Sequence, residues 1–233
     1  ARYSMGNNNI WHPLVAGKIL GPGAVIQTAV DSKVDLVLGE VPIQVAYPNS
    51  TFPTPAFLSQ AADPNVRGYI VYNAKVRQNV IRMYGNTVLA IDKMNFSDTG
   101  ADVVGDTELD LRAGKIFGSV KKLSAMSEFE VKIPNGIAGI RGTTFTIDAN
   151  GNITVSEGTV LVSWGQPPQV YSVGAGQSFS PITGPGQGVQ LATPAEISEI
   201  QGTQADACTL ATAGTYTVRD LECIYLSTIK NAN

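Results

Sequence analysis

From Ile19 to about Thr183 the chain alternates short runs of β-branched and aromatic residues with turn residues, at a spacing of roughly ten residues. The runs are Ala24–Ala29, Val34–Leu38, Tyr69–Tyr72, Asn79–Met83, Thr87–Ile91, Glu108–Leu111, Lys115–Val120 and Phe129–Ile133. Gly114, Gly118, Gly136, Gly139, Gly142, Gly151, Gly158, Gly165, Gly174 and Gly176 punctuate the later part. Glycine weakens a helix and β-branched side chains crowd its preceding turn, so a helical reading of this region fails. The pattern predicts an all-β fold, with many short strands forming a β-sandwich or a stacked β-roll.

The clearest local signal is Thr143–Ile147, then Asp148-Ala149-Asn150-Gly151-Asn152, then Ile153–Ser156. Asn-Gly between β-branched runs predicts a hairpin whose two turn residues take positive φ. Asp31-Ser32 predicts a second turn, and the proline-rich stretch 47–65 reads as a long surface loop. The texture changes near residue 184, after which Pro185–Gly188 reads as a linker. Thr193-Pro194-Ala195-Glu196 has the form of a helix start, with Thr as N-cap, Pro at the first helical position and Glu at the third. A short helix over Glu196–Ile200 is then expected to stop at Gly202. Residues 215–229 are apolar enough for either helix or strand. The division is therefore a β domain over 1–183 and a C-terminal extension over 184–233. That extension mixes short helix and strand, and is a candidate inter-subunit packing or donor-strand segment.

Composition excludes more functions than it names. Charged residues are only 15% of the 233, with a net charge of −3, so no basic face is available for a phosphate backbone and nucleic acid is not an expected partner. No run of about 18 apolar residues exists, and no transmembrane helix is expected. The single histidine, His12, lies between Trp11 and Pro13, a poor setting for a Ser-His or Cys-His pair. Nitrogen and sulfur ligands are too few and too scattered for a zinc site, and no phosphate-binding or nucleophile-elbow motif occurs. No cofactor, metal or catalytic residue is expected. Residue 1 is Ala, with no charged-then-apolar leader, which fits a mature chain or a cut boundary equally. Cys208 and Cys223, 15 apart, are a disulfide candidate worth roughly 3 kcal/mol in an oxidising compartment, against the alternative of two buried thiols.

Few side chains stand out as sites. Arg141 is a lone charge in the glycine-flanked block Gly139-Ile140-Arg141-Gly142-Thr143. Its forked donors suit a carboxylate or a partner, and equally a turn or an internal acid such as Glu157 or Asp110. Trp11 and Trp164 are amphipathic aromatics able to stack on a sugar, or to pack on the core or its rim. Asp98–Asp102, Asp106–Asp110 and the alternating Asp148, Asn150 and Asn152 offer oxygen ligands, but lack the terminal bidentate Glu of a calcium loop, so solvated turns are expected. Glu128 and Glu130 share one strand face without any sign of the burial that a glycosidase pair needs. Asn49, Asn95 and Asn152 head glycosylation-type triplets of the kind that chance supplies.

Several blocks together resemble a family. Trp11–Leu20 with Gly23–Thr28, Leu109–Phe117, Ile133-Pro134-Asn135-Gly136-Ile137-Ala138-Gly139-Ile140-Arg141-Gly142-Thr143-Thr144-Phe145, Val155–Val160 and Val173–Gln177 are similar, in order, to FecR-type domains, over about residues 10–180. The resemblance implies an extracytoplasmic, non-catalytic all-β domain of bacterial type. The anti-sigma segment and membrane helix that precede such domains in signalling members are not in this sequence, and only ten residues precede Trp11. A β domain short of its first strand exposes an edge, which a tail could fill in a neighbouring subunit. The leading expectation is thus a secreted, non-enzymatic structural protein at the cell surface or outside the cell. Its partners are other copies of itself, joined by strand pairing into a filament. The alternative is a monomeric extracytoplasmic (or periplasmic) FecR-like module that binds a glycan, peptidoglycan or protein.

Overall fold

The computed structural model describes residues 1–6, 10–38, 66–74, 79–98, 103–121, 123–181, 188–212 and 221–229. Its chain divides into two units, one of residues 1–40 and 78–209, the other of 41–77 and 210–233. The fold is all-β with a C-terminal helix.

The first unit is one 14-stranded sheet with two wings that share a spine. The spine is the hairpin of β11 (Gly136–Asp148) and β12 (Ile153–Trp164), paired along almost its full length. Beyond the first half of β11 lie β10 (Glu128–Ile133), β8 (Val103–Ala113), β7 (Val88–Asp98), β3 (Ala24–Gln27), β1 (Arg2–Met5) and β2 (His12–Pro13). Beyond its second half lie β9 (Lys115–Ser119), β6 (Asn79–Met83) and β4 (Val34–Leu38). On the other side of β12, β13 (Gln169–Gly174) extends the first wing, while β14 (Gln177–Phe179) and β15 (Val189–Leu191) extend the second. Among the described residues all pairs are antiparallel except β8 with β10, which are separated in sequence by β9 in the other wing.

Alternation along the strands puts one apolar face of each wing inward. A single buried cluster joins Ile26, Leu89, Leu109, Val131 and Val162 of the first wing to Ile81, Ile116, Phe145, Ile153 and Phe179 of the second. Gly118 makes room for this packing, since a Cβ there would lie 2.3 Å from the Phe145 ring. Along β6 every residue is buried, because both of its faces are covered. Ile81 and Met83 face the core, whereas Val80 and Arg82 face α1 (Pro194–Thr212). From that helix Ile200 and Ala207 are buried, and Gln204 and Thr203 reach Thr144 and Tyr84. Thr193 caps the helix as expected: its N–H and hydroxyl donate to Glu196 at 2.7 Å, and its Oγ1 accepts the Glu196 N–H at 3.3 Å.

Three local expectations are corrected. The helix does not stop at Gly202 but runs through it to Thr212. Burial of Ile200 and Ala207 on either side of that glycine outweighs its weak helix propensity. In the 148–152 turn only Gly151 takes positive φ, at 94°. The Asp148 carboxylate accepts from the N–H groups of Asn150 and Asn152, which holds a three-residue loop in place of a two-residue one. Gly139, Gly142 and Gly158 do not separate strands but lie inside β11 and β12.

The N-terminal edge is filled by the chain itself, since β1 pairs with both β3 and β2. In the second unit β5 (Val66–Ala74) and β16 (Leu221–Ile229) form an antiparallel pair, from Leu221 opposite Ala74 to Ile229 opposite Val66. Residues 215–229, open between helix and strand in sequence, thus contain a strand with a partner in its own chain. The proline-rich loop 47–65 lies outside the described residues.

Candidate functional site

The spine bends where its register shifts twice. The first shift lies between Arg141 and Thr144, the second between Thr144 and Phe145, and they cancel, so one register holds on both sides of the corner. Gly142 and Gly158 sit there at φ 64° and 82°, values that side chains rarely adopt. A Cβ on Gly158 would come within 2.2 Å of the Gly142 carbonyl oxygen. The Thr143 hydroxyl donates to Thr159 O at 2.9 Å and ties the bulge across the strands.

Directly beside this corner, on the outer face of the first wing, lies a cleft of about 630 Å³. Gly139 stands opposite Glu130 on one side and Leu161 on the other, and its missing side chain makes the floor. Glu128 and Glu130 form one wall, Thr159 and Leu161 the other, and Arg141 the end. Phe129 lies against the cleft but turns its ring inward, at 2% exposure. Arg141 is exposed, and among the described residues it has no ion pair, neither with Glu157 nor with Asp110. Asp110 is held instead by Arg112 Nε at 2.7 Å. The cleft therefore presents two carboxylates and one guanidinium around a floor that lacks a side chain.

The neighbouring outer surface is internally neutralised. Lys132 bridges Asp92, at 3.5 Å, and Glu108, and Lys93 pairs with Asp106. The bond from Glu108 raises the Lys132 ammonium above its ordinary value, and that from Asp106 does the same for Lys93. The stretch Asp106–Asp110 is consequently a strand with alternate carboxylates matched by cations, not a solvated turn. Asp148 uses its oxygens on Asn150 and Asn152. Among the described residues no three His, Cys, Asp or Glu side chains gather as a metal site.

Other sequence candidates are placed elsewhere. Trp11 lies under the Arg2 guanidinium, 4.5 Å from its centroid, and His12 against Tyr3, so both belong to the N-terminal edge. Trp164 packs edge-on to Phe179, with centroids 6.2 Å apart, and covers Gly151 of the hairpin. Cys208 lies on α1 and Cys223 on β16, with side chains outside the described residues. Sequence reading passed over Arg82, whose Nε and Nη2 donate to Asp35 at 2.6 and 2.9 Å and whose Nη1 donates to Asp206 at 3.0 Å. The bond to Asp35 raises its already high pKa further, against burial, and the bond to Asp206 adds to it.

Residues 75–161 match the FecR protein family. That FecR-like stretch carries β6 to β11 and most of β12, hence the corner and the whole cleft. It lies within the 10–180 expected from sequence; the Trp11–Thr28 and Val173–Gln177 blocks fall outside it. Two crystal structures of candidate anti-sigma factors from Parabacteroides distasonis ATCC 8503, at 1.65 and 2.50 Å resolution, are similar to this chain at 13% identity, with TM-scores of 0.36 and 0.37. The alignments cover 54% and 55% of this chain and 56% and 60% of theirs, under two thirds of either structure. No curated protein matches. Among the described residues no helix is long and apolar enough to cross a membrane.

Proposed function

We propose that this chain is an extracytoplasmic, non-catalytic FecR-like binding module whose ligand is an extended segment of another protein. The observation that carries this reading is the cleft floored by Gly139, in which Glu128, Glu130 and Arg141 are free of ion pairs among the described residues while the carboxylates beside them are matched. Charges of both signs set along an open groove suit a polypeptide, whose own side chains bring charges of both signs. A sugar site would use an aromatic platform, and the one aromatic at the cleft faces the core. The FecR-like match over the same strands supports a role in sensing or regulation. The filament reading has less support, because β3 and β16 both find strand partners within the chain.

Gly139→Leu tests the site. A Cβ at Gly139 meets only Leu161 O at 3.8 Å, so a side chain there fills the cleft without strain. Decapeptides of mixed charge, chitooligosaccharides and muropeptides are titrated calorimetrically against both proteins. Peptide binding lost in the variant at an unchanged melting temperature supports the proposal. Binding of sugars alone, or of peptides equally to both proteins, overturns it.

A further inference from the structure

The outer margin of the first wing is β13, which among the described residues pairs only with β12. Two hydrogen bonds fix which way its backbone points. Gly165 N donates to Asn135 O at 3.0 Å, so the odd residues at the end of β12 face β11 and the even ones face β13. The register then assigns Gln169, Tyr171 and Val173 to bonds with β12. Independently, Gly174 N donates away from β12, to Gln177 Oε1 at 2.8 Å. Both observations leave the N–H and C=O groups of Val170 and Ser172 pointing outward.

The other margins of this sheet are shorter, blocked or charged. β2 has 2 residues, one of them Pro13 without an N–H, β15 has 3, and β4, paired only with β6 among the described residues, has 5 and carries Asp35. β13 has 6 residues, Gln-Val-Tyr-Ser-Val-Gly, with no charge and no proline, and so lacks the usual guards of an edge strand. Val170 is 71% exposed, and Leu161 on the adjoining strand is 54% exposed. The free stretch is bounded by Pro168, which has no donor, and by Gly174, whose donor Gln177 already holds.

That stretch is complementary to itself. We propose that β13 pairs antiparallel with β13 of a second copy of this chain, about a two-fold axis at Tyr171. Val170 of each copy then faces Ser172 of the other, and each such pair exchanges both of its backbone bonds. The first wings of two molecules become one continuous sheet. A two-fold contact uses the same edge on both partners and closes at the dimer, so it builds no filament.

The test is mass in solution across a dilution series, by light scattering after size exclusion and by sedimentation. Ser172→Pro removes an outward donor without touching a bond to β12, and Val170→Lys places a charge at the seam. The expected result is a dimer that dissociates on dilution for the parent chain, and monomers for both variants at unchanged melting temperature. Should Ser172→Pro fail to fold, Val170→Lys, a change at an exposed side chain, decides alone. A parent chain that stays monomeric at every concentration, a dimer that survives Val170→Lys, or open-ended polymers would each overturn the proposal.

Discussion

Arg82 Nη1 lies 3.0 Å from Asp206 Oδ2, and this contact joins a strand buried on both faces to the C-terminal helix. The same guanidinium is held in a fork by Asp35, so one cation serves three elements: β4, β6 and α1. At 3% exposure it has almost no recourse to water. Removing one side of a buried ion pair leaves the other uncompensated. Arg82→Leu is expected to lower unfolding free energy by about 3 kcal/mol, because Asp35 then stays half-buried without its partner. Asp206→Asn is expected to cost clearly less, since Asp206 is 59% exposed and Arg82 keeps Asp35. Urea denaturation of the two variants checks the ranking, and the reverse order would refute the assignment.

Stability is expected to fall in acid through two carboxyls of α1. Hydrogen bonding and charge from Arg82 hold the Asp206 carboxyl below its ordinary value. The Thr193 N–H, then its hydroxyl, do the same for Glu196. A carboxyl with a lower pKa in the folded chain than in the unfolded one stabilises above its unfolded value, about pH 4, and loses that contribution as pH drops through the folded value. Thermal melts should therefore be flat down to roughly pH 5 and fall below about pH 4. The double variant Asp206→Asn, Glu196→Gln should melt lower at neutral pH and show a shallower acid decline.

The corner of the spine should tolerate no side chain at Gly158. Alanine there meets the Gly142 carbonyl oxygen at 2.2 Å in addition to the cost of φ 82°. At Gly176, φ is 75° and nothing lies within 4 Å, so alanine bears the backbone cost alone. The expected losses are roughly 3 kcal/mol for Gly158→Ala and about 1 kcal/mol for Gly176→Ala. Equal midpoints in denaturant for the two variants would show that the close approach of the strands is of no consequence.

Trp164 should behave as a packing residue. Its ring covers Gly151 so closely that a Cβ there would lie 2.4 Å away, and it meets Phe179 edge-on. Trp164→Ala is expected to cost about 3 kcal/mol. The variant should leave affinity at the Gly139 cleft unchanged. A loss of sugar binding with no loss of stability would restore the reading of this residue as a platform.

Strand positions were legible because alternation and turn residues are local properties: the run Asn79–Met83 coincides with β6, and Val34–Leu38 with β4. Length and pairing were not. Gly142 and Gly158 look like turn residues, and only the opposite strand reveals that two cancelling bulges keep β11 and β12 paired through them. The two lone arginines teach the same lesson. Arg141 in Gly-Ile-Arg-Gly and Arg82 in Val-Ile-Arg-Met carry one signature, a single charge in an apolar run. One is exposed at the cleft, and the other is buried under a helix more than a hundred residues downstream, as the Arg82–Asp206 separation of 124 shows. No window of sequence contains that difference. The cleft itself depends on a residue without a side chain, Gly139, whose role is set by its neighbours across the sheet.

The sharing of β11 and β12 between the wings also sets an order in time. Synthesis runs from β1 toward α1, yet the strand that joins β9 to β10 ends at Asp148, and the cover over Arg82 arrives only with Asp206. Contacts so distant along the chain close late and slowly. Neither face of the core can close on the other until β11 and β12 have been made, and the cover over Arg82 follows later still.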